Sequence, residues 1–198
     1  MQIVKQSAEL ISITPFALML IEQAGRTCYK SEDKITEVSS EKFVQMIIKR
    51  GHESVLEHAS ATFRFITDRG VTHELVRHRI GVAYSQESTR YCNYAGSDMQ
   101  FINPGFNIGT ELHDIWVDSC QTAEQNYNVL IENDVSPQIA RSVLPNCLKT
   151  EIVMTANFRE WRHVFKLRTS KAAHPQIREL MEMAQNQLSM LIPEVFKK

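Results

Sequence analysis

Apolar residues recur along this chain at two spacings. In ATFRFIT, Ala61, Phe63 and Phe65 alternate with other residues, the period of a strand with one buried face. Thr62, Arg64 and Thr67 fall outside that pattern or on its other face. Residues 2–13 carry short alternations of β-branched residues and include a strand, and CLKTEIVMTA (147–156) reads as another. Helical spacing dominates elsewhere. Thr14-Pro15, a cap followed by a first-turn proline, starts the helix FALMLIEQAGRTCY. A second helix runs from about Ser40 to Arg50, with Phe43, Met46 and Ile47 on one face and Gly51 closing it. Gly70 breaks the strand before a helix THELVRH, and Asn103, Pro104 and Gly105 mark a loop. The longest helix spans Glu111 to Asn133 with Thr110 as its cap. Ser136-Pro137 opens a short helix, QIARSVL, that Pro145 ends; FREWRHVFKLR forms the next, and Pro175 restarts the chain as QIRELMEMAQNQLSML. The mixture is α+β with helices outnumbering strands. It contains no repeat, low-complexity segment or long linker, so a single domain is expected over residues 1–198.

Composition narrows the class. The chain has 43% apolar and 23% charged residues and a formal net charge of -1, unlike the basic balance of a protein that coats nucleic acid. MQIVKQSAELISI is too polar for a signal peptide's apolar region, and no apolar run approaches a membrane span. The cysteines, Cys28, Cys92, Cys120 and Cys147, are scattered and form no CxxC pair, so neither a zinc site nor a redox dithiol is indicated. A reduced, cytoplasmic protein is expected, with no nucleic-acid or membrane partner.

Three segments carry candidate chemistry. In RHRIGVAYSQESTRY, Arg77, His78 and Arg79 precede a crowd of polar groups that includes Ser85, Gln86, Ser88 and Arg90. Arginine forks hold phosphate or carboxylate, and hydroxyl and amide groups could read the rest of a nucleotide; a solvated polar loop is the plain alternative. Arg141 in QIARSVLP and Arg159, Arg162 and Arg168 in NFREWRHVFKLR add cations. Arg159, Arg162 and His163 share a helix face, unless they only pair with Glu160 on the surface. GHESVLEHAS sets His52 and His58 six apart, which is not the HExxH zinc spacing; a short polar helix meeting a cofactor or a partner subunit fits it as well. Cys147, after Pro145-Asn146, is the cysteine nearest to a reactive setting, although an inert cysteine opening a strand explains it more simply. Neither GxGxxG nor GxxxxGK[ST] occurs. The residues alone reach a binder of a phosphorylated small molecule, with catalysis left open.

With these residues assembled, the chain resembles the flavin-dependent thymidylate synthases. Their signature, Arg-His-Arg, about seven residues, then serine and shortly arginine, reads here as Arg77-His78-Arg79 and Ser88-Thr89-Arg90. GHESVLEHAS, RSVLP, TANFREWRHVFKLR and PQIREL follow the family's order over nearly the whole chain. Two departures stand out. Eight residues, Ile80 to Glu87, separate Arg79 from Ser88, with the extra one expected in a loop within Gly81 to Tyr84. The family's Ala-Gln pair before Glu-Ile-Arg is replaced by Ala173-His174-Pro175-Gln176-Ile177-Arg178. The resemblance implies a small, mostly antiparallel sheet flanked by helices. It implies a homotetramer whose active sites form where subunits meet, binding FAD, dUMP, 5,10-methylenetetrahydrofolate and NADPH, and no metal. Glu74, Arg77, Gln86, Glu87, Ser88, Arg90, Arg141 and Arg168 look like the substrate set, with Arg168 foremost in catalysis. His52, Ser54, Glu57, Arg77, His78, Arg79, Ile80, Asn157, Arg159, His163 and Leu167 look like the flavin-side set. A divergent relative that binds FAD and a pyrimidine nucleotide but does other work, or a non-catalytic nucleotide- or RNA-binding module, is the alternative.

Overall fold

The computed structural model describes residues 1–197. Two strands open the chain where one was expected, β1 (Gln2–Val4) and β2 (Ser7–Ile13). Helices α1 (Ala17–Thr27) and α2 (Ser39–Lys49) follow, then a 3-10 turn over Glu53–His58, strand β3 (Ser60–Asp68) and helix α3 (Arg69–Leu75). Strands β4 (Val82–Gln86) and β5 (Gln100–Ile102) lead to α4 (Glu111–Glu132) and α5 (Pro137–Ala140). Strand β6 (Lys149–Asn157), α6 (Phe158–Arg168), α7 (Pro175–Leu191) and α8 (Pro193–Phe196) complete it. No helix among the described residues is long and apolar enough to cross a membrane.

A four-stranded sheet has the order β2-β3-β6-β4, and β1 pairs with β5 in parallel, Gln2 opposite Gln100. The larger sheet is antiparallel. Thr14 N donates to Ser60 O (2.9 Å) at one end of the β2–β3 pair and Thr67 Oγ1 to Gln6 Oε1 (3.3 Å) at the other. Along β3 and β6, Phe158 N reaches Ala59 O (2.8 Å) while Arg69 N reaches Asn146 O (3.0 Å). The expected α+β class with a small antiparallel sheet therefore holds.

By its contacts the chain forms two compact units, each assembled from separate segments. The first comprises Met1–Ser7, Phe65–Arg77 and Ser85–Ile152; the second comprises Ala8–Arg64, His78–Tyr84 and Val153 onward. In the first, Met99, Phe101, Cys120, Tyr127, Ala140 and Leu148 form a buried cluster. In the second, Trp161 sits edge-on to Phe63 (centroids 5.2 Å apart), stacks on Phe165 (5.4 Å) and donates its indole N–H to Ala61 O (3.0 Å). That bond satisfies the one polar atom a buried tryptophan brings with it.

Several local expectations change. Thr14 does not cap α1; its hydroxyl accepts from Ser60 N (2.9 Å), and Phe16, in the left-handed region at φ 51°, precedes the first turn. Thr67 lies on the buried face with Ala61, Phe63 and Phe65, because it keeps their parity and finds Gln6 as a partner. Gly70 does not end β3 as a breaker; it lies in the first turn of α3, whose cap is Asp68, accepting from Val71 N (2.8 Å). The helix stops at Leu75, so Arg77, His78 and Arg79 lie beyond it. Val82–Gln86 is strand, so only Ile80 and Gly81 remain as turn to take up an extra residue, and Gly81 has φ +67°. Thr110 caps α4 as expected, accepting from His113 N (3.3 Å).

Candidate functional site

The residues expected on the substrate side fall in the first unit, except Arg168. The RHR-to-STR segment turns at Ser88, whose carbonyl accepts from Tyr91 N (3.1 Å) and Cys92 N (2.9 Å) and whose hydroxyl accepts from Arg90 N (3.3 Å). This turn carries one of the expected anion-holding groups, Arg90, and meets the other, Arg141. Arg90 Nε donates to Gln138 Oε1 (3.2 Å) and its guanidinium lies over the Tyr91 ring, 5.2 Å from the centroid. Arg141 Nη1 donates to the buried Thr89 hydroxyl (3.3 Å). The start of α5 and the residue after it are thereby brought to the Ser88–Arg90 turn, with both guanidinium groups held by neutral partners and keeping further donors for an anion.

Gln86 donates its amide nitrogen to the hydroxyls of Thr72 (3.0 Å) and Thr150 (3.3 Å), both buried. Glu87 takes an internal role. One carboxylate oxygen accepts from Tyr94 Oη (2.7 Å); the other accepts from Glu151 N (3.2 Å) and lies 3.4 Å from Lys149 Nζ. Burial and this carboxylate raise the Tyr94 hydroxyl's pKa well above the ordinary tyrosine value. Glu74 is half-buried near the end of α3, and Arg77 is exposed just past it.

The flavin-side residues, apart from Arg77, gather in the second unit. A groove of about 1060 Å³ is lined by Glu57, Ile80, Asn157, Arg159 and His163 from that set, together with Arg162 and Lys166. Asn157 caps α6, accepting from Glu160 N (2.8 Å), and so sets the helix whose outer face supplies Arg159, His163 and Lys166. Its inner face, Phe158, Trp161, Val164 and Phe165, is buried. Arg159 pairs with Glu57 (2.6 Å) and Arg162 with Glu53 (3.1 Å), so these arginines tie α6 to the 53–58 turn instead of pairing with Glu160. His52, Ser54, Arg79 and Leu167 are exposed and do not line the groove.

Arg168, at the end of α6, donates from Nε to Nε2 of His78 (3.0 Å). His78 is buried, and this burial, with the charges of Arg168 and His163, lowers its pKa to about 4. It therefore stays neutral near pH 7 and can accept the arginine's hydrogen bond. The other ring nitrogen, Nδ1, carries the proton and lies 3.5 Å from the Glu160 carboxylate, whose own pKa burial raises. Tyr84 Oη donates to the His78 carbonyl (2.9 Å), and burial pushes that hydroxyl up to about 12. His78, Glu160 and His163 have ligand-type atoms within 4.8 Å of one another, but the guanidinium against His78 opposes a metal cation there.

Cys147 is placed elsewhere. Its sulfur lies 3.6 Å from that of Cys120, against the buried cluster of the first unit. The hydrogen bond shared by the two sulfurs lowers the Cys147 thiol below its ordinary pKa and, with burial, raises that of Cys120.

The family model described as thymidylate synthase complementing protein matches residues 9–194. The chain is 37% identical over 196 residues to the flavin-dependent thymidylate synthase of Mycobacterium tuberculosis strain H37Rv, covering 89% of this chain and 77% of that protein. The chain belongs to the flavin-dependent thymidylate synthase family. Another member, from Mycolicibacterium vanbaalenii, is 38% identical with the same coverage. Among solved structures, a UMP/dUMP methylase, PolB, from Streptomyces cacaoi bound with 5-Br dUMP superposes with a TM-score of 0.83 at 24% identity, over 100% of this chain and 96% of that one, which shows a shared fold.

For a member of this family, sequence reasoning missed Thr72, Thr150, Tyr94, Lys149 and Glu160. Glu160 had a visible signal, a carboxylate three residues before His163 on a helix. Thr150 and Lys149 meet Gln86 and Glu87 across 64 and 62 residues, while Thr72 and Tyr94, 14 and 7 residues from the same partners, meet them through turns of the chain that no periodic pattern marks.

Proposed function

We propose that this protein is an FAD-dependent thymidylate synthase, reductively methylating dUMP to dTMP with 5,10-methylenetetrahydrofolate as carbon donor and NADPH as reductant, and releasing tetrahydrofolate. The observation that carries the reading is the 37% identity to a flavin-dependent thymidylate synthase across 89% of the chain. The groove supports it. Its volume of about 1060 Å³ lies at the upper end of small-molecule sites, roughly 300–1,000 Å³, as a dinucleotide requires. Lys166 offers a pyrophosphate a cation, Arg159 and Arg162 keep donors beyond their pairs with Glu57 and Glu53, and Asn157 adds a polar contact. FAD, when bound, supplies a hydride carrier between NADPH and the nucleotide.

The chain's own residues do the rest. Glu57, Ile80, Asn157, Arg159 and His163 serve the flavin side from the groove, and His78 beside it. His52, Ser54, Arg79 and Leu167, which do not line the groove, serve it where subunits meet, and Arg77 serves both sides. Arg90 and Arg141 hold the nucleotide's phosphate, while Glu74, Gln86 and Ser88 orient the rest of it. Remote binding energy of this kind holds uracil in a productive position. C5 of uracil must gain carbanion character to attack a methylene, so negative charge builds on the pyrimidine carbonyls. Arg168, its Nε tied to a neutral His78, is the guanidinium assigned to that charge, and it stabilises it without giving up its proton. Cys147 is not the nucleophile, because its sulfur is engaged with Cys120 against a buried cluster. Glu87 acts through the turn and not on the substrate, since both its oxygens are bonded within the protein.

The whole chain works as one cytoplasmic domain and assembles as a homotetramer with shared active sites. The exposed apolar side chains Phe16, Met19 and Leu20, which line one surface around the start of α1, support burial against another copy. The test is tritium release from C5-labelled dUMP with methylenetetrahydrofolate present and FAD and NADPH each added or withheld, with dTMP identified as product. Release dependent on both supports the reading. Release needing neither, from flavin-free protein, replaces it with a cysteine mechanism, and folded, flavin-loaded protein that releases none points to a divergent relative.

A further inference from the structure

We infer that Thr72 is a positioning residue that fixes the side-chain amide of Gln86, so that its carbonyl oxygen and not its NH2 group faces the nucleotide. The inference deepens the functional reading above and rests on its assignment of Gln86 to the substrate side. Thr72 lies inside α3 with its side chain fully buried, and its hydroxyl gives its single proton to the Arg69 carbonyl (3.0 Å), one turn back. With that proton committed, the oxygen has only lone pairs left. Gln86 Nε2 lies 3.0 Å from it, and an oxygen with no proton to spare can only accept there.

Thr150, buried on β6, presents a second hydroxyl oxygen to the same nitrogen at 3.3 Å. The two amide protons are thereby used on two hydroxyl oxygens. Gln86 Oε1 has no hydrogen-bond partner among the described residues. Turning the amide over would press Oε1 against the lone pairs of Thr72, leaving the Thr150 hydroxyl as the only donor to it, a loss of one bond and the gain of a repulsion. The site therefore presents an acceptor at this point and takes a donor from the nucleotide. An imide N–H of the base and a sugar hydroxyl share that chemistry. A base or sugar offering only an acceptor there meets the carbonyl oxygen and is rejected.

Thr72→Val keeps the shape of the side chain and removes the hydroxyl, whereas Thr72→Ser keeps the hydroxyl. Binding of dUMP to FAD-loaded protein is measured by calorimetry, beside the N3-methyl and 3′-deoxy analogues of dUMP, each of which lacks one donor. The valine variant is expected to bind dUMP about fivefold to tenfold more weakly, the value of roughly one hydrogen bond. Serine restores binding to within about twofold of wild type. Wild type discriminates against one of the two analogues, which identifies the donor, and the valine variant loses that discrimination because the two changes act through one contact. If the valine variant unfolds, Thr72→Ala removes the hydroxyl without added bulk and takes its place. Equal dUMP binding by valine variant and wild type overturns the inference. So does equal impairment by valine and serine, or wild-type indifference to both analogues. Holoprotein that binds no dUMP removes the functional reading itself, and this inference with it.

Discussion

His78 should make the folded protein lose stability in mild acid. Its pKa is about 4 in the fold against an ordinary 6.5, chiefly because it is buried and also because Arg168 and His163 face it. Between those values the unfolded chain takes up a proton that the folded chain refuses, so unfolding becomes easier as pH falls. The contribution is fully present above about pH 6.5 and is lost as pH drops toward 4. Over the whole interval the loss is ~3 kcal/mol, and about 2 kcal/mol of it has gone by pH 5. Glu160, the facing carboxyl, works in the opposite sense. Burial raises its pKa, so protonation favours the fold as pH falls. Replacing His78 with glutamine removes the titration, keeps an acceptor for Arg168 Nε and leaves Glu160 in place. Urea unfolding of wild type and His78→Gln at pH 7.5 and pH 5 then isolates the histidine. The stability gap between the two proteins should shift by about 2 kcal/mol in favour of the variant on going to pH 5. Parallel pH dependence would refute the neutral, buried imidazole and with it the account of how Arg168 is held.

Arg168→Ala should lower turnover by about 10²–10³-fold, the scale of one lost transition-state donor, with flavin still bound by absorbance; normal turnover removes its assigned role. Cys147→Ala should keep its activity, and a folded but dead variant would reopen a thiolate mechanism. Gly81→Ala should cost about 1–2 kcal/mol from the left-handed backbone alone. It should also disturb the cap of α6, because the added carbon would sit 2.9 Å from Asn157 Nδ2. A variant that unfolds at the wild-type urea midpoint contradicts that account.

What could be read in advance follows from how far each signal reaches along the chain. The alternation of β3, the Thr110 cap of α4 and the span Phe158–Arg168 of α6 are set by neighbours a few residues away, and each was legible. Thr14-Pro15 misled because a threonine hydroxyl serves a strand as readily as a helix, and the neighbouring strand offered Ser60. Strand β4 hid inside the Arg-His-Arg motif, because a polar strand receives its pairing from β6, some 65 residues later by position. At the site, residue types were readable and pairings were not. Arginines and histidines announce an anion site, but nothing local says that Arg168 holds His78, that Glu87 turns inward, or that Arg159 and Arg162 choose Glu57 and Glu53 over Glu160.

The interleaved segments of the two units bear on how the chain can be made. Strand β3 lies between β2 and β6 in the sheet, and β6 is synthesised some 80 residues after it. Until Asn157 has left the ribosome, Phe63 and Phe65 belong to a strand with one open edge, and Trp161, which covers Phe63, comes later still. Neither unit is finished by a continuous stretch of chain, so the usual domain-by-domain route during translation is closed to this protein. Long-range pairing of this kind folds slowly and leaves an aggregation-prone edge in the meantime. Nascent chains arrested before residue 157 should therefore stay protease-sensitive and bound by chaperones, and release should depend on the arrival of β6 and α6 together.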